Sequence, residues 1–263
     1  LSSYGMDNGN KDLCKLLRAL VKLKGVRWLR LLYLYPSFID DELIKIVKNE
    51  EKLANYFDIP VQHLDDRILK KMSRSGTVNE YWELIQKIRE EVNEVAIRTT
   101  LIVGFPGETD EIFNNVLEEV NRFKFNHLGV FEYSAEETTK SFYMENHIDP
   151  KIKKFRFKKI MALQAKISSE LLKTRIGKTY DILVEEMIEG EKDQGNYYIG
   201  RSEFEAPEID GNIVISSLNK LDIGKHVRVK IISSSEYDLF SIVEKNENLQ
   251  INKSFEVISG NIK

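Results

Sequence analysis

The most constraining feature of this sequence is residues 97–111, where an apolar segment runs directly into Gly-Phe-Pro-Gly and then into acidic residues. Ile97–Val103 is rich in β-branched residues, which is typical of a strand buried on both faces of a parallel sheet. The two glycines permit close backbone approaches that a side chain blocks, and Pro106 fixes φ between them. Thr109 and the acids after it predict a helix start. The pattern predicts a strand, a loop on which a flat ligand could lie, and a helix; an ordinary tight turn is the alternative.

Four segments of strand character alternate with amphipathic helical segments in the first part of the chain. They are Trp28–Tyr35, Tyr56–Ile59, Ile97–Val103 and His127–Tyr133. Strand–helix alternation predicts parallel strands joined by right-handed crossovers, which makes this region α/β. Four strands do not close a barrel, and the first is too apolar for an exposed edge, so we expect a portion of a larger barrel.

The pattern changes after Gly177, where a predicted long helix ends. Five short β-type segments follow, and they predict a small antiparallel β-barrel of oligonucleotide-binding type. The predicted organisation is a barrel portion over 1–148, a connecting helix over 149–176, a β-barrel over 177–244 and a weakly patterned tail over 245–263.

The composition limits the classes of protein and of site. Cys14 is the one cysteine of the 263 residues, which excludes an internal disulfide and a multi-cysteine metal site built from this chain alone. Its helical surroundings favour a packing role over a reactive one. No apolar run approaches about 18 residues and no signal peptide opens the chain, so we expect a cytoplasmic protein without membrane contact.

Polar residues gather at the carboxyl ends of the predicted strands, where such folds bind ligands. Gln62 and His63 follow the second strand, Arg98 and Thr100 lie in the third, and Tyr133 ends the fourth. Arg98 needs a partner, which a ligand carboxylate or a protein acid would supply equally well. His63 either contacts a ligand or packs as an ordinary buried histidine. Without a Ser-His-Asp order, a phosphate loop or metal-spaced His/Cys residues, the sequence predicts binding but no particular reaction, and no metal ligands.

Six ordered motifs resemble one known family. They are LRLLYLYP (29–36), YFDIPVQH (56–63), DRILKKMSRSGT (66–77), IRTTLIVGFPGET (97–109), LGVFEYSAEE (128–137) and EAPEIDG (205–211). Together they resemble the radical S-adenosylmethionine (SAM) methylthiotransferases. The first, second and last resemble the branch of that family that modifies a ribosomal protein rather than tRNA.

The resemblance implies a fold, cofactors and a reaction. Family members form a partial (β/α)6 barrel, of which this chain would supply the last four strands, followed by a small barrel called a TRAM domain. They carry two 4Fe-4S clusters, use SAM, and in this branch add a methylthio group to the β-carbon of an aspartate in the twelfth protein of the small ribosomal subunit. The residues that match cofactor-binding positions are Gln62, His63, Arg98, Thr100, Val103, Gly104, Phe105, Pro106, Gly107, Phe131 and Tyr133.

One departure from the family pattern concerns iron. The family's C-x-x-x-C-x-x-C motif and its three further cluster cysteines do not occur in this sequence, and Cys14 matches neither set. Since 4Fe-4S clusters need thiolates, we expect an N-terminally truncated member that is inactive alone and binds no cofactor tightly. The catalytic residues themselves are not indicated.

Two other functions stay open from the sequence. A tRNA methylthiotransferase would need a basic terminal domain, but residues 178–244 hold seven basic and fourteen acidic residues, 7 − 14 = −7. Such a surface disfavours nucleic acid as the main partner and suits a basic ribosomal protein. The remaining alternative is a non-catalytic module whose acidic barrel holds a basic protein.

Overall fold

The computed structural model describes residues 1–9, 12–188 and 196–244. The chain divides into two compact units, Leu1–Ile167 and Ser168–Lys263. This division falls inside a helix, whereas the sequence predicts domain limits at 148/149 and 176/177, which stay a prediction. The predicted tail, 245–263, lies outside the described residues.

The first unit contains the predicted four-stranded parallel sheet, with strand order β1-β2-β3-β4. Its strands are β1 (Leu29–Leu31), β2 (Leu53–Asp58), β3 (Ala96–Val103) and β4 (His127–Glu132). Each lies where the sequence predicts a strand, and sequential neighbours pair in parallel. The α/β fold class is therefore confirmed for this unit.

In the part of the chain that the structure describes, six α-helices accompany the strands. They are α1 (Leu13–Leu20), α2 (Asp41–Asn49), α3 (Asp66–Lys71), α4 (Val78–Glu91), α5 (Asp110–Phe123) and α6 (Pro150–Lys173). Thr109 caps α5 as predicted, because its side chain accepts a hydrogen bond from the Ile112 amide. Thr77 and Glu80 form a complete capping box at the start of α4.

Two strand predictions need correction. Strand β3 is not buried on both faces: Leu101 and Val103 are buried, while Thr100 and Ile102, which alternate with them, are half-buried. The first strand ends at Leu31 rather than Tyr35. Tyr33 has a φ of 59°, outside the extended region, and its amide donates to the Asp58 carboxylate at 2.9 Å instead of to a strand.

The second unit contains a closed five-stranded barrel of order β5-β6-β7-β9-β8, which confirms the predicted barrel. Its strands are β5 (Thr179–Ile188), β6 (Asn196–Arg201), β7 (Ile213–Ser217), β8 (His226–Ser234) and β9 (Leu239–Val243). Four strand pairs are antiparallel as predicted, but β7 and β9 pair in parallel. The barrel is filled by apolar side chains that include Ile182, Tyr198 and Ile231, none more than 1% exposed.

The motif at 205–211 is a structural element of the second unit. Glu205 is 4% exposed; it accepts hydrogen bonds from the backbone and hydroxyl of Ser202 and forms an ion pair with Arg175. Asp210 accepts from the Ala206 amide at 2.8 Å. These bonds satisfy buried polar groups within the loop between β6 and β7, so the motif holds a turn in place.

Candidate functional site

A cavity of about 590 Å³ opens beside the carboxyl ends of β3 and β4. Its apolar wall consists of Met72, Ile102, Phe105, Phe131, Tyr133 and Met144. Polar and charged side chains complete the lining, with Gln62 following β2 and the others supplied by residues 71–74 and 132–141. An apolar pocket with a few convergent polar groups, at this edge of a parallel sheet, has the usual form of a small-molecule site.

Two aromatic rings form the inner part of this wall. Phe105 and Tyr133 meet edge to face, with ring centroids 5.1 Å apart. Tyr133 is 9% exposed, and its hydroxyl is buried without a hydrogen-bond partner among the described residues. An unpaired buried hydroxyl is costly, so this atom is a natural contact for a polar group on a ligand.

The Gly104–Gly107 loop lies behind this wall. Both glycines have positive φ, 75° and 85°, which side-chain-bearing residues rarely adopt. A Cβ on Gly104 would collide with the stem of Lys153, and one on Gly107 would meet the end of Lys71. The Lys153 amino group donates to the Tyr133 carbonyl at 2.8 Å. Above Gly104, therefore, the space expected for a flat ligand is filled by the lysine stem.

A buried charge network holds the same loop from its other side. Both carboxylate oxygens of Glu108, which is 1% exposed, accept from the Gly104 amide at 3.1 Å. Glu108 also pairs with Arg156 at 2.8 Å and contacts His63 Nε2 at 3.0 Å. A second amino group of Arg156 reaches Asp110 at 2.7 Å, and the first also donates to the Glu108 carbonyl. Helix α6 is thereby connected to both ends of the loop.

The structure divides the eleven predicted cofactor-binding residues among three places. Gln62, Phe105, Phe131 and Tyr133 line the cavity. Arg98, Thr100 and Phe131 surround Gly129 on the half-buried face of the sheet, within 3.5–3.9 Å of where its Cβ would lie. The remaining residues lie in the loop or the core behind the cavity wall: His63, Val103, Gly104, Pro106 and Gly107.

Arg98 has a protein acid as its neighbour, one of the two partners that the sequence leaves open. Its Nε lies 3.8 Å from the Asp58 carboxylate, and Asp58 is 3% exposed. Asp58 also accepts from the Tyr33 amide. The carboxylate thus compensates the charge of Arg98 within the sheet, and a ligand is not needed for that purpose.

Sequence profiles of known families match two parts of this chain. The sequence profile of the Radical SAM superfamily matches residues 1–120, and that of the TRAM domain matches residues 176–243. A Clostridium botulinum (strain Eklund 17B / Type B) protein named "Ribosomal protein uS12 methylthiotransferase RimO" is 44% identical over 244 residues, which are 92% of this chain and 53% of that protein. Proteins of the same name from Alkaliphilus oremlandii and Petrotoga mobilis are each 44% identical, over 91% and 90% of this chain and 54% and 53% of their own lengths.

The chain belongs to the RimO-like radical SAM methylthiotransferase family. It spans about half the length of the curated relatives it matches. Among solved structures, coproporphyrinogen III oxidase from Escherichia coli aligns with 64% of this chain and 38% of its own, at 19% identity and a TM-score of 0.49.

The described residues offer no set of ligands for the iron-sulfur clusters that this family carries. They contain no group of three or more His, Cys, Asp or Glu side chains that could hold a metal ion. Burial raises the pKa of the Cys14 thiol to about 11, with smaller contributions from Glu42 and Asp40, so the thiolate that a cluster needs is disfavoured. No helix in 1–9, 12–188 or 196–244 has the length and apolar character to cross a bilayer.

Sequence reasoning missed two parts of this candidate site. The first is Arg156, for which a signal existed: it lies four residues before Ile160 and eleven before Ile167, both buried, and these spacings belong to one face of a helix. The second is the group of cations at the cavity, Lys71, Arg74 and Lys140. Lys71 and Arg74 are three residues apart, but Lys140 lies 66 residues beyond Arg74, so no local pattern joins all three.

Proposed function

We propose that this chain supplies the last four strands of the barrel and the TRAM domain of a methylthiotransferase that acts on ribosomal protein uS12. The proposed reaction is the addition of a methylthio group to the β-carbon of an aspartate. The cavity beside β3 and β4 is the observation that supports the proposal, because four of the family-matched residues line this one space. The names of relatives that are 44% identical support the substrate.

The residues of the cavity fit SAM, the cofactor that the family implies. A volume of about 590 Å³ lies in the usual range for a ligand of this size. The wall offers aromatic surface at Phe105, Tyr133 and Phe131, with the Gln62 amide and the unpartnered Tyr133 hydroxyl as polar contacts. When bound, SAM supplies a methyl group and a 5′-deoxyadenosyl radical.

A 4Fe-4S cluster does not fit the residues of this chain. The sequence has one cysteine, and its thiol has a raised pKa. Cluster thiolates would have to come from sequence outside these 263 residues. The contribution of this chain is to bind and orient: apolar walls exclude water, and the Glu108 network fixes the loop behind them.

The TRAM domain supports a basic protein as partner. Residues 178–244 carry a charge of −7, which favours encounter with a positively charged protein and opposes phosphate backbones. On this proposal the barrel attracts uS12 and the cavity in the other unit carries the reacting groups.

The test uses the protein at the full length of its gene. After anaerobic reconstitution with iron and sulfide, it is incubated with SAM, a reductant and recombinant uS12. Mass spectrometry should show one aspartate of uS12 with a methylthio group in place of a hydrogen, and a uS12 variant with asparagine there should stay unmodified. Methylthiolated tRNA beside unmodified uS12 would refute the proposal. The 263-residue chain, treated in the same way, should gain no iron-dependent absorbance.

A further inference from the structure

The cavity has a cationic rim, which we define as Lys71, Arg74 and Lys140. All three line the cavity, while Glu132 is the one acidic residue in its lining. Among the residues that the structure describes, none of the three has a carboxylate within ion-pair distance; Arg74 instead lies over the Tyr35 ring at 5.3 Å. Three positive charges and one negative charge leave the lining with an excess of positive charge, which attracts an anion that enters the cavity.

Other groups in the lining indicate what the rest of the ligand looks like. Hydroxyls of Ser73, Ser134, Thr139 and Ser141 stand in the lining together with the cations, and the Tyr133 hydroxyl is buried without a partner. The deeper wall is aromatic and aliphatic. The cations and hydroxyls of this lining therefore match a carboxylate head, and the apolar wall matches a short apolar stem.

We propose that the cationic rim recognises the carboxylate of the aspartate that the enzyme modifies. This inference rests on the proposed function and deepens it by assigning the residues that select the target side chain. The acidic TRAM domain attracts a basic protein, but the rim repels the lysines and arginines of that same protein. The two units therefore have different roles in recognition. The negative charge of the barrel attracts the basic partner protein, and the positive charge of the rim selects an acidic residue of that protein.

The test is a binding measurement that needs no iron and no turnover. The probes are a short lysine-rich peptide with a single aspartate and the same peptide with asparagine, titrated into the 263-residue chain by calorimetry. We expect the aspartate peptide to bind about tenfold more tightly, because several partly exposed ion pairs together contribute this much. The difference should shrink as salt is raised, since the rim is partly exposed. The Lys71→Gln/Arg74→Gln/Lys140→Gln variant should bind both peptides equally.

A matched control removes the same amount of charge elsewhere in the same unit. Lys45→Gln/Lys154→Gln/Lys158→Gln changes three exposed lysines outside the cavity and should keep the tenfold preference. A wild-type chain that does not distinguish the peptides, whether both bind or neither does, overturns the inference. So does a rim variant that loses affinity for S-adenosylhomocysteine or polyuridine but keeps the peptide preference. The uS12 mass-spectrometric assay judges the proposed function separately.

Discussion

Replacing Arg156 by methionine removes one of two opposite charges that are buried together behind the cavity. Arg156 and Glu108 are 3% and 1% exposed, and the substitution deletes the donors to the Glu108 carboxylate and carbonyl, each at 2.8 Å. In this variant Glu108 keeps its contacts with the Gly104 amide and with His63. Breaking a buried pair costs about 3–5 kcal/mol, and because two contacts remain we expect about 3 kcal/mol for Arg156→Met.

The assay is urea unfolding followed by tryptophan fluorescence. Both tryptophans, Trp28 and Trp82, lie in the unit Leu1–Ile167, so the signal reports on that unit alone. Combining Glu108→Gln with Arg156→Met should cost less than the sum of the single changes, with a coupling of about 2 kcal/mol. Lys48→Met, which breaks an exposed pair with Glu91, is the control and should cost at most about 1 kcal/mol. If Arg156→Met costs no more than this control, or the two changes simply add, the buried pair does not stabilise the unit.

Two further predictions concern stability and reactivity elsewhere. Gly211→Ala should destabilise the barrel by about 2–3 kcal/mol, because its Cβ would overlap the Tyr237 backbone, with the carbonyl carbon 2.7 Å away. The control is Gly224→Ala, which meets no neighbouring atom and is disfavoured only by a φ of 80°, so it should cost about 1 kcal/mol. Equal hydrogen-exchange protection of barrel amides in the two variants would contradict the prediction that Gly211→Ala is the more destabilising. Since burial raises the pKa of Cys14 from 9.0 to about 11, iodoacetamide at pH 8 should alkylate it about 100-fold more slowly in the folded chain than in urea. The folded rate should rise as the pH approaches 11, and equal folded and unfolded rates at pH 8 would show that the thiol is not protected.

Local patterns predicted the elements of this fold well, because each signal lies within a few residues. Thr109 and the acids after it marked the start of α5, and apolar runs located all four parallel strands. Pairing between distant segments was not predictable in this way. The parallel contact of β7 with β9, separated in sequence by β8, follows from barrel closure rather than from the composition of either strand.

The candidate site shows the same limit more sharply. The resemblance to the family predicted Gln62, Phe105, Phe131 and Tyr133 as site residues, and these four line one cavity in the structure. Glu108 contacts both His63 and Arg156, and Arg156 lies 48 residues beyond Glu108 and is brought there by α6. The cationic rim likewise combines Lys71 with Lys140, and only the folded chain places them in one lining.

The closed barrel of the second unit has a consequence for how any partner can attach. Every strand from β5 to β9 has two hydrogen-bonded neighbours, so no strand offers a free row of amides and carbonyls. An extended peptide cannot join this barrel as a sixth strand, which is a common way for sheets to capture ligands. Recognition through the barrel must use side chains and loops, so single charge substitutions on its surface should adjust affinity in small increments.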